Sequence, residues 1–148
     1  MRGNSQLLPR TNSFVDETGS MKTLVTLVLT DDSELEELIA DALSEIGAIS
    51  HLTRDAGDAV DIICGVNDLD LAIIDFEPGP HGMTLLSTIS TLRQDLAVIA
   101  ITCDDEQHVE ALAYANGATA CVSKQVVATE LPNAIRQLCK PKVEEAIA

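Results

Sequence analysis

From Met21 onward, short apolar runs alternate with longer amphipathic stretches, and this alternation most constrains the fold because it is the pattern of βα units built on a parallel sheet. Four of the runs end in polar residues. Thr23 to Thr30 leads to Asp31 and Asp32, Leu71 to Ile74 to Asp75, Ala97 to Ile101 to Thr102, and Ala118 to Ser123 to Lys124. In an open parallel sheet those strand ends converge on one crevice. Three carboxylates, a hydroxyl and an ammonium are therefore expected to share one small pocket.

The intervening stretches read as helices with recognisable ends. Ser33 with Glu36 forms a capping box, Leu35, Leu38, Ile39, Ala42, Leu43 and Ile46 share one face, and Gly47 closes the helix as its C′ residue. A second strand, Ala48 to Thr53, leads to a helix begun by Asp55 with Ala59, Val60 and Ile63 inward. The third strand, Asp70 to Ile74, precedes a Pro- and Gly-rich loop and a helix carrying Leu85, Leu86, Ile89 and Leu92 inward. After the strand Ala97 to Ile101, Asp104, Asp105 and Glu106 suit the positive end of a fourth helix, which Gly117 closes. The fifth strand is Thr119 to Ser123, and Pro132 is placed in the first turn of a last helix with Leu131, Ile135 and Leu138.

The chain of 148 residues is long enough for one domain burying roughly 70% of its unfolded surface. That domain is expected over 21–139, with 1–20 as a disordered N-terminal tail and 140–148 as a C-terminal tail. The 24 acids against 9 Lys and Arg give a charge of −15, which argues against nucleic acid or an anionic membrane as a partner. No apolar stretch approaches the ~20 residues of a membrane span, and no secretory signal opens the chain, so a cytoplasmic protein is expected. Cys64, Cys103, Cys121 and Cys139 have no zinc or redox spacing and sit among apolar neighbours, which favours buried free thiols.

Two or three carboxylates within ~4 Å repel by about 4 kcal/mol per pair at an effective dielectric near 20, and a hard divalent cation relieves that repulsion. Mg²⁺ takes one or two carboxylates plus waters and a phosphate, and a carboxylate beside it can attack phosphorus. Asp75 is the candidate nucleophile. A phosphoryl transition state carries charge on three equatorial oxygens, so a metal position, a hydroxyl and an ammonium are its complement; Asp32, Thr102 and Lys124 supply those types. Singly, Asp31 and Asp32 also suit a helix start, Asp75 a turn and Lys124 a solvated surface. The set in this order favours the functional reading.

With Leu-Thr-Asp31-Asp32-Ser33, Asp70-Leu-Ala-Ile-Ile-Asp75, Ile101-Thr102 and Asn116-Gly117-Ala118 followed by Lys124, the chain resembles the receiver domain of two-component response regulators over Met21 to Leu138. The resemblance implies a flavodoxin-like (βα)5 fold, a five-stranded parallel sheet flanked by helices. It implies phosphorylation of Asp75 by a histidine kinase or phosphotransfer protein, with Thr102 and Lys124 on the phosphoryl oxygens. It also implies Mg²⁺ held by Asp32, Asp75 and the backbone carbonyl of Glu77, with Asp31 alongside. Such a protein is a signalling phosphoacceptor rather than an enzyme with a separate substrate, and with no output domain in sight its signal is expected to pass to a downstream protein target.

Four features depart from the family pattern. Gln125 follows Lys124 where a cis-Pro is usual, Cys121 stands where Tyr or Phe is usual, and Cys103 stands where Ala or Gly follows the threonine. Pro78 and Gly82 come three and seven residues after Asp75 instead of four and eight, so the loop is one residue short. These departures keep open a second reading, a phosphorylation-independent interaction module on the same fold. A haloacid-dehalogenase-like phosphatase with Glu77 as acid fits less well, since its motif belongs on the first strand and needs a cap domain. His51, His81 and His108 show no ligand spacing and receive no role.

Overall fold

In a computed structural model, which describes residues 14–15, 21–77, 80–103 and 107–139, five strands form one parallel sheet. They are β1 (Val25–Leu29), β2 (Ile49–Thr53), β3 (Leu71–Phe76), β4 (Ala97–Thr102) and β5 (Ala120–Ser123), in the spatial order β2-β1-β3-β4-β5. The helices are α1 (Ser33–Glu45), α2 (Ala56–Gly65), α3 (Pro80–Leu92), α4 (Gln107–Ala115) and α5 (Val127–Leu138). Strand order reverses between β1 and β3, which is where such a sheet opens a crevice at its carboxyl edge. Phe14–Val15 and Met21–Lys22 form a separate two-residue antiparallel pairing. The expected acidic start of the fourth helix at 104–106, the loop at Pro78, most of the 1–20 tail and the 140–148 tail lie outside the described residues.

Both faces of the sheet are covered, which is why its central strands read as unbroken apolar runs. On one face Leu27, Ala72, Ile74, Phe76 and Ala100 pack under Ala59 and Ile63 of α2, Leu86 and Ile89 of α3, and Val109 and Ala113 of α4. On the other, Val28, Ile73, Ile99, Ile101 and Val122 pack under Leu35, Ile39 and Leu43 of α1 and Leu131 and Ile135 of α5. Polar groups pin the register. Asp70 accepts from the Val25 amide at 2.9 Å, and Thr119 Oγ1 accepts from the Val98 amide at 3.0 Å. Arg93 fastens the end of α2 to the approach of β3 by donating to the carbonyls of Ile63, Val66 and Leu69, each at 3.4 Å.

Several expectations require correction. The cap of α1 is Asp32, not Ser33: Asp32 has extended backbone (φ −92°, ψ 112°) and its carboxylate accepts the amides of Glu34 and Leu35, while Ser33 is already helical. Glu36 turns instead to Arg54 at 3.1 Å. Pro132 lies inside α5 rather than in its first turn, because the helix begins at Val127 straight after a 3₁₀ turn at Lys124–Val126. Leu38 and Leu92 are exposed, sitting at the rims of their helix faces. None of the cysteines is buried: Cys64 and Cys103 are exposed and Cys121 and Cys139 are partly covered, all as free thiols. The end of α1 follows expectation, with Gly47 at φ 70° and the Ala48 amide bonding back to the Leu43 carbonyl at 2.9 Å.

Candidate functional site

The site is assembled at the carboxyl edge of β1, β3, β4 and β5. Asp75 is the fifth residue of β3, paired with Ile101, so the strand runs through it rather than stopping before it. That placement holds its backbone in the sheet while its side chain, only 7% exposed, faces the strand ends. Beside it, β1 delivers Thr30, whose hydroxyl donates to Asp75 Oδ2 at 2.8 Å. The chain then enters α1 through Asp32, whose amide donates to Thr30 Oγ1 at 3.1 Å.

Asp32, Asp75 and Lys124 come together. Lys124 Nζ lies 3.5 Å from Asp32 Oδ2 and 3.6 Å from Asp75 Oδ1. The lysine reaches this position with Gln125 after it: Ser123 Oγ accepts the Gln125 amide at 3.3 Å to start the 3₁₀ turn, and no described peptide bond is cis. Burial pulls the Lys124 ammonium down, but the negative charges of Asp75, Cys103 and Asp32 outweigh it and leave its pKa raised. Asp32 is held below the usual carboxylate range, first by the Leu35 amide and then by Lys124. Asp75 Oδ1 is buried and, among the described residues, receives no hydrogen bond.

Asp31, Asp75 and Glu77 line one cavity of about 630 Å³ that also takes in Thr30, Arg54 and His81. Its far wall is the start of α3, where Gly82 lies so close that a side-chain carbon there would collide with the Glu77 carbonyl oxygen. Thr102 is the last residue of β4, 1% exposed, and paired with Phe76 and Ser123 on either side.

The donors suit a hard divalent cation. The Asp75 carboxylate and the Asp31 carboxyl, which line the same cavity, are oxygen ligands of the right kind. Asp32 joins them only if Oδ2 leaves Lys124, since Oδ1 serves the helix cap. Among the described residues no group of three or more His, Cys, Asp or Glu is gathered to hold a metal ion, so a cation here would draw on one or two of these carboxylates and on water.

The sequence assigns no role to Thr30, Arg54 or His81, all of which line the cavity. The signal for Thr30 was available, as a hydroxyl at the last position of an apolar strand beside the two acids. Arg54 and His81 reach the cavity through the packing of α2 and α3, which no local pattern announces.

Beside the site, Cys121 occupies the usual aromatic position with its Sγ 4.0 Å from the Glu110 carbonyl and in contact with Tyr114 of α4. Burial, reinforced by the Glu110 charge, pushes its thiol up to about 11. The folded state therefore holds this proton more tightly than the unfolded chain, and the associated stability is lost as pH rises from about 9, the ordinary thiol value, towards 11. Because the thiolate is the nucleophile, iodoacetamide at pH 8 is expected to modify Cys64 and Cys103 at least about tenfold faster than Cys121. Equal rates by peptide mass spectrometry would contradict this environment.

The response regulator receiver domain model matches residues 26–136. None of the curated proteins matches the chain. Among solved structures, a CheY-like response regulator receiver domain protein from Methanospirillum hungatei superposes with a TM-score of 0.70 at 21% identity, covering 86% of this chain and 100% of the other. A response regulator from Thermotoga maritima gives 0.71 at 14% identity, covering 79% and 98%. A putative pilus assembly-related protein from Burkholderia pseudomallei gives 0.67 at 19% identity, covering 79% and 90%. At these identities the likeness is one of fold.

Proposed function

We propose that this chain, which belongs to the response regulator receiver domain family, accepts a phosphoryl group on Asp75 and passes the resulting change to a protein partner. The observation that carries the reading is Asp75 itself: a nearly buried carboxylate with one oxygen held by Thr30 and the other, among the described residues, free of hydrogen bonds beside the Lys124 ammonium. The free oxygen is the nucleophile. Its lone pair forms the bond to phosphorus while the donor, a phosphohistidine of a histidine kinase or phosphotransfer protein, leaves with the electrons of its own bond to phosphorus.

Lys124 is already within reach of the equatorial oxygens that would gather at Asp75 Oδ1. Thr102, on the neighbouring strand, is the hydroxyl proposed to complete that set once β4 adjusts. Asp75 and Asp32, the latter once its Oδ2 leaves Lys124, would hold Mg²⁺ with the Glu77 carbonyl as the backbone ligand and Asp31 alongside; the bound ion supplies charge neutralisation for carboxylates and phosphoryl oxygens together. Phosphorylation adds roughly −1.5 to −2 charges. Lys124 then exchanges a carboxylate for a more negative partner, and because it opens the turn into α5 its movement is felt on the face of β5 and α5.

Incubation with acetyl phosphate and Mg²⁺ is expected to add one phosphoryl group to the intact mass, and chelation with EDTA to prevent it. No gain with the metal present, in a protein that still folds, would favour the phosphorylation-independent module.

The two roles given to Asp32 separate by substitution. Asp32→Asn keeps a good cap and should cost little stability, whereas Asp32→Ala should cost about 1 kcal/mol. Both should cut the rate of phosphoryl uptake at least about tenfold by removing the charge that serves the cation. Asp31→Ala should weaken Mg²⁺ binding less than either. Normal uptake by Asp32→Asn would limit Asp32 to capping.

A further inference from the structure

From the hydrogen bonds around Asp75, we infer that Thr30 is a positioning residue that selects Oδ1 as the phosphorylated oxygen and shortens the lifetime of the phosphorylated form by holding Oδ2. This rests on the phosphoacceptor reading of Asp75 and adds to it a residue outside the set of acids, threonine and lysine already assigned.

Thr30 is 3% exposed, so its hydroxyl has few partners to choose from. Its oxygen accepts from the Asp32 amide at 3.1 Å, and its proton is donated to Asp75 Oδ2 at 2.8 Å. The amide fixes which way the hydroxyl points, because one lone pair is already committed to it. The two carboxylate oxygens of Asp75 are thereby made unequal. Oδ2 carries a hydrogen bond, whereas Oδ1 carries none among the described residues and lies 3.6 Å from Lys124. The less solvated oxygen is the better nucleophile, and it is also the one beside the cation.

The same bond acts on the return step. In the acyl phosphate, Oδ2 is a carbonyl oxygen and a weaker acceptor than a carboxylate oxygen. During hydrolysis, water forms a bond to phosphorus and gives up a proton to solvent. The bond between Oδ1 and phosphorus breaks with its electron pair returning to Asp75, and negative charge spreads onto Oδ2. A donor already aimed at Oδ2 stabilises that charge as it develops, with no reorganisation needed. Thr30 therefore favours departure of the phosphoryl group, and by the same argument it restrains the carboxylate from taking one up.

The test uses the full chain as wild type, Thr30→Val, Thr30→Ala and Thr30→Ser. Each is phosphorylated with acetyl phosphate and Mg²⁺, freed of donor by desalting, and followed by intact mass. Valine keeps the branched shape and loses the hydroxyl, alanine loses both, and serine keeps the hydroxyl. The phosphorylated form of the valine variant is expected to last about 3- to 10-fold longer than wild type, the rate equivalent of one hydrogen bond. Alanine should follow valine, and should replace it if valine does not fold. Serine should restore a lifetime within about twofold of wild type. Equal lifetimes for wild type and the hydroxyl-free variants, or a serine variant as slow as they are, would overturn the assignment of Thr30 alone. A wild type that takes up no phosphoryl group would overturn the reading of Asp75 on which the assignment rests.

Discussion

Asp75→Asn is expected to abolish phosphoryl uptake from acetyl phosphate while leaving the fold in place. The amide is nearly the same size as the carboxylate, so β3 and its pairing with β4 are undisturbed. Its chemistry is different at both atoms. The amide oxygen can still accept from Thr30, which directs the NH₂ group to the place of Oδ1. An NH₂ there is no nucleophile toward phosphorus, and it faces the Lys124 ammonium, donor against donor. Lys124 also loses the largest of the charges that hold its pKa up, leaving Cys103 and Asp32. Intact mass after incubation is the check. Undiminished labelling of the asparagine protein would place the acceptor at another residue.

Gly117→Ala should be among the most destabilising single-methyl additions in the chain, at about 3 kcal/mol. Two independent costs meet at this position. The backbone has φ 113°, where a side chain brings strain of about 1–3 kcal/mol, and the new carbon would collide with Cβ and Oγ of Ser90 on α3. Neither can be relieved cheaply, since Gly117 turns the chain between α4 and β5, with the Ala118 amide bonded back to Ala113 at 3.0 Å. Combining the change with Ser90→Gly should recover the part due to collision and leave the backbone strain. Urea unfolding reads both; a loss below about 0.5 kcal/mol for the single variant would show that the turn has another conformation at little cost.

Much of this architecture is legible in the chain because the fold writes strands and helices in different periods. The five strands were located within a residue or two by their apolar runs, and Asp55 and Gly47 mark helix ends through local chemistry that tertiary packing does not override. Asp32 and Ser33 show where such reading fails. Both are good caps, and local sequence does not choose between them; the aspartate takes the position, with its amide on Thr30 Oγ1 and its carboxylate on the amides of Glu34 and Leu35. That position gives Asp32 two tasks, since a capping carboxylate cannot also be fully available to a cation. The cysteines are less buried than their apolar neighbours in sequence suggest, because a residue on the outer side of a helix or past a strand end stays exposed, as Cys64 and Cys103 do. Thr30 escaped because its significance is a contact between strands 45 residues apart.

Chemical mapping of the phosphorylated residue distinguishes Asp75 from every other acid in the chain. Borohydride reduces an acyl phosphate to an alcohol and leaves free carboxylates untouched, so an aspartyl phosphate becomes homoserine. After incubation of the wild-type chain with acetyl phosphate and Mg²⁺, reduction and proteolysis, homoserine is expected at position 75 and at no other aspartate. Homoserine at Asp31 or Asp32, or a phosphoryl group that survives borohydride, would contradict the account.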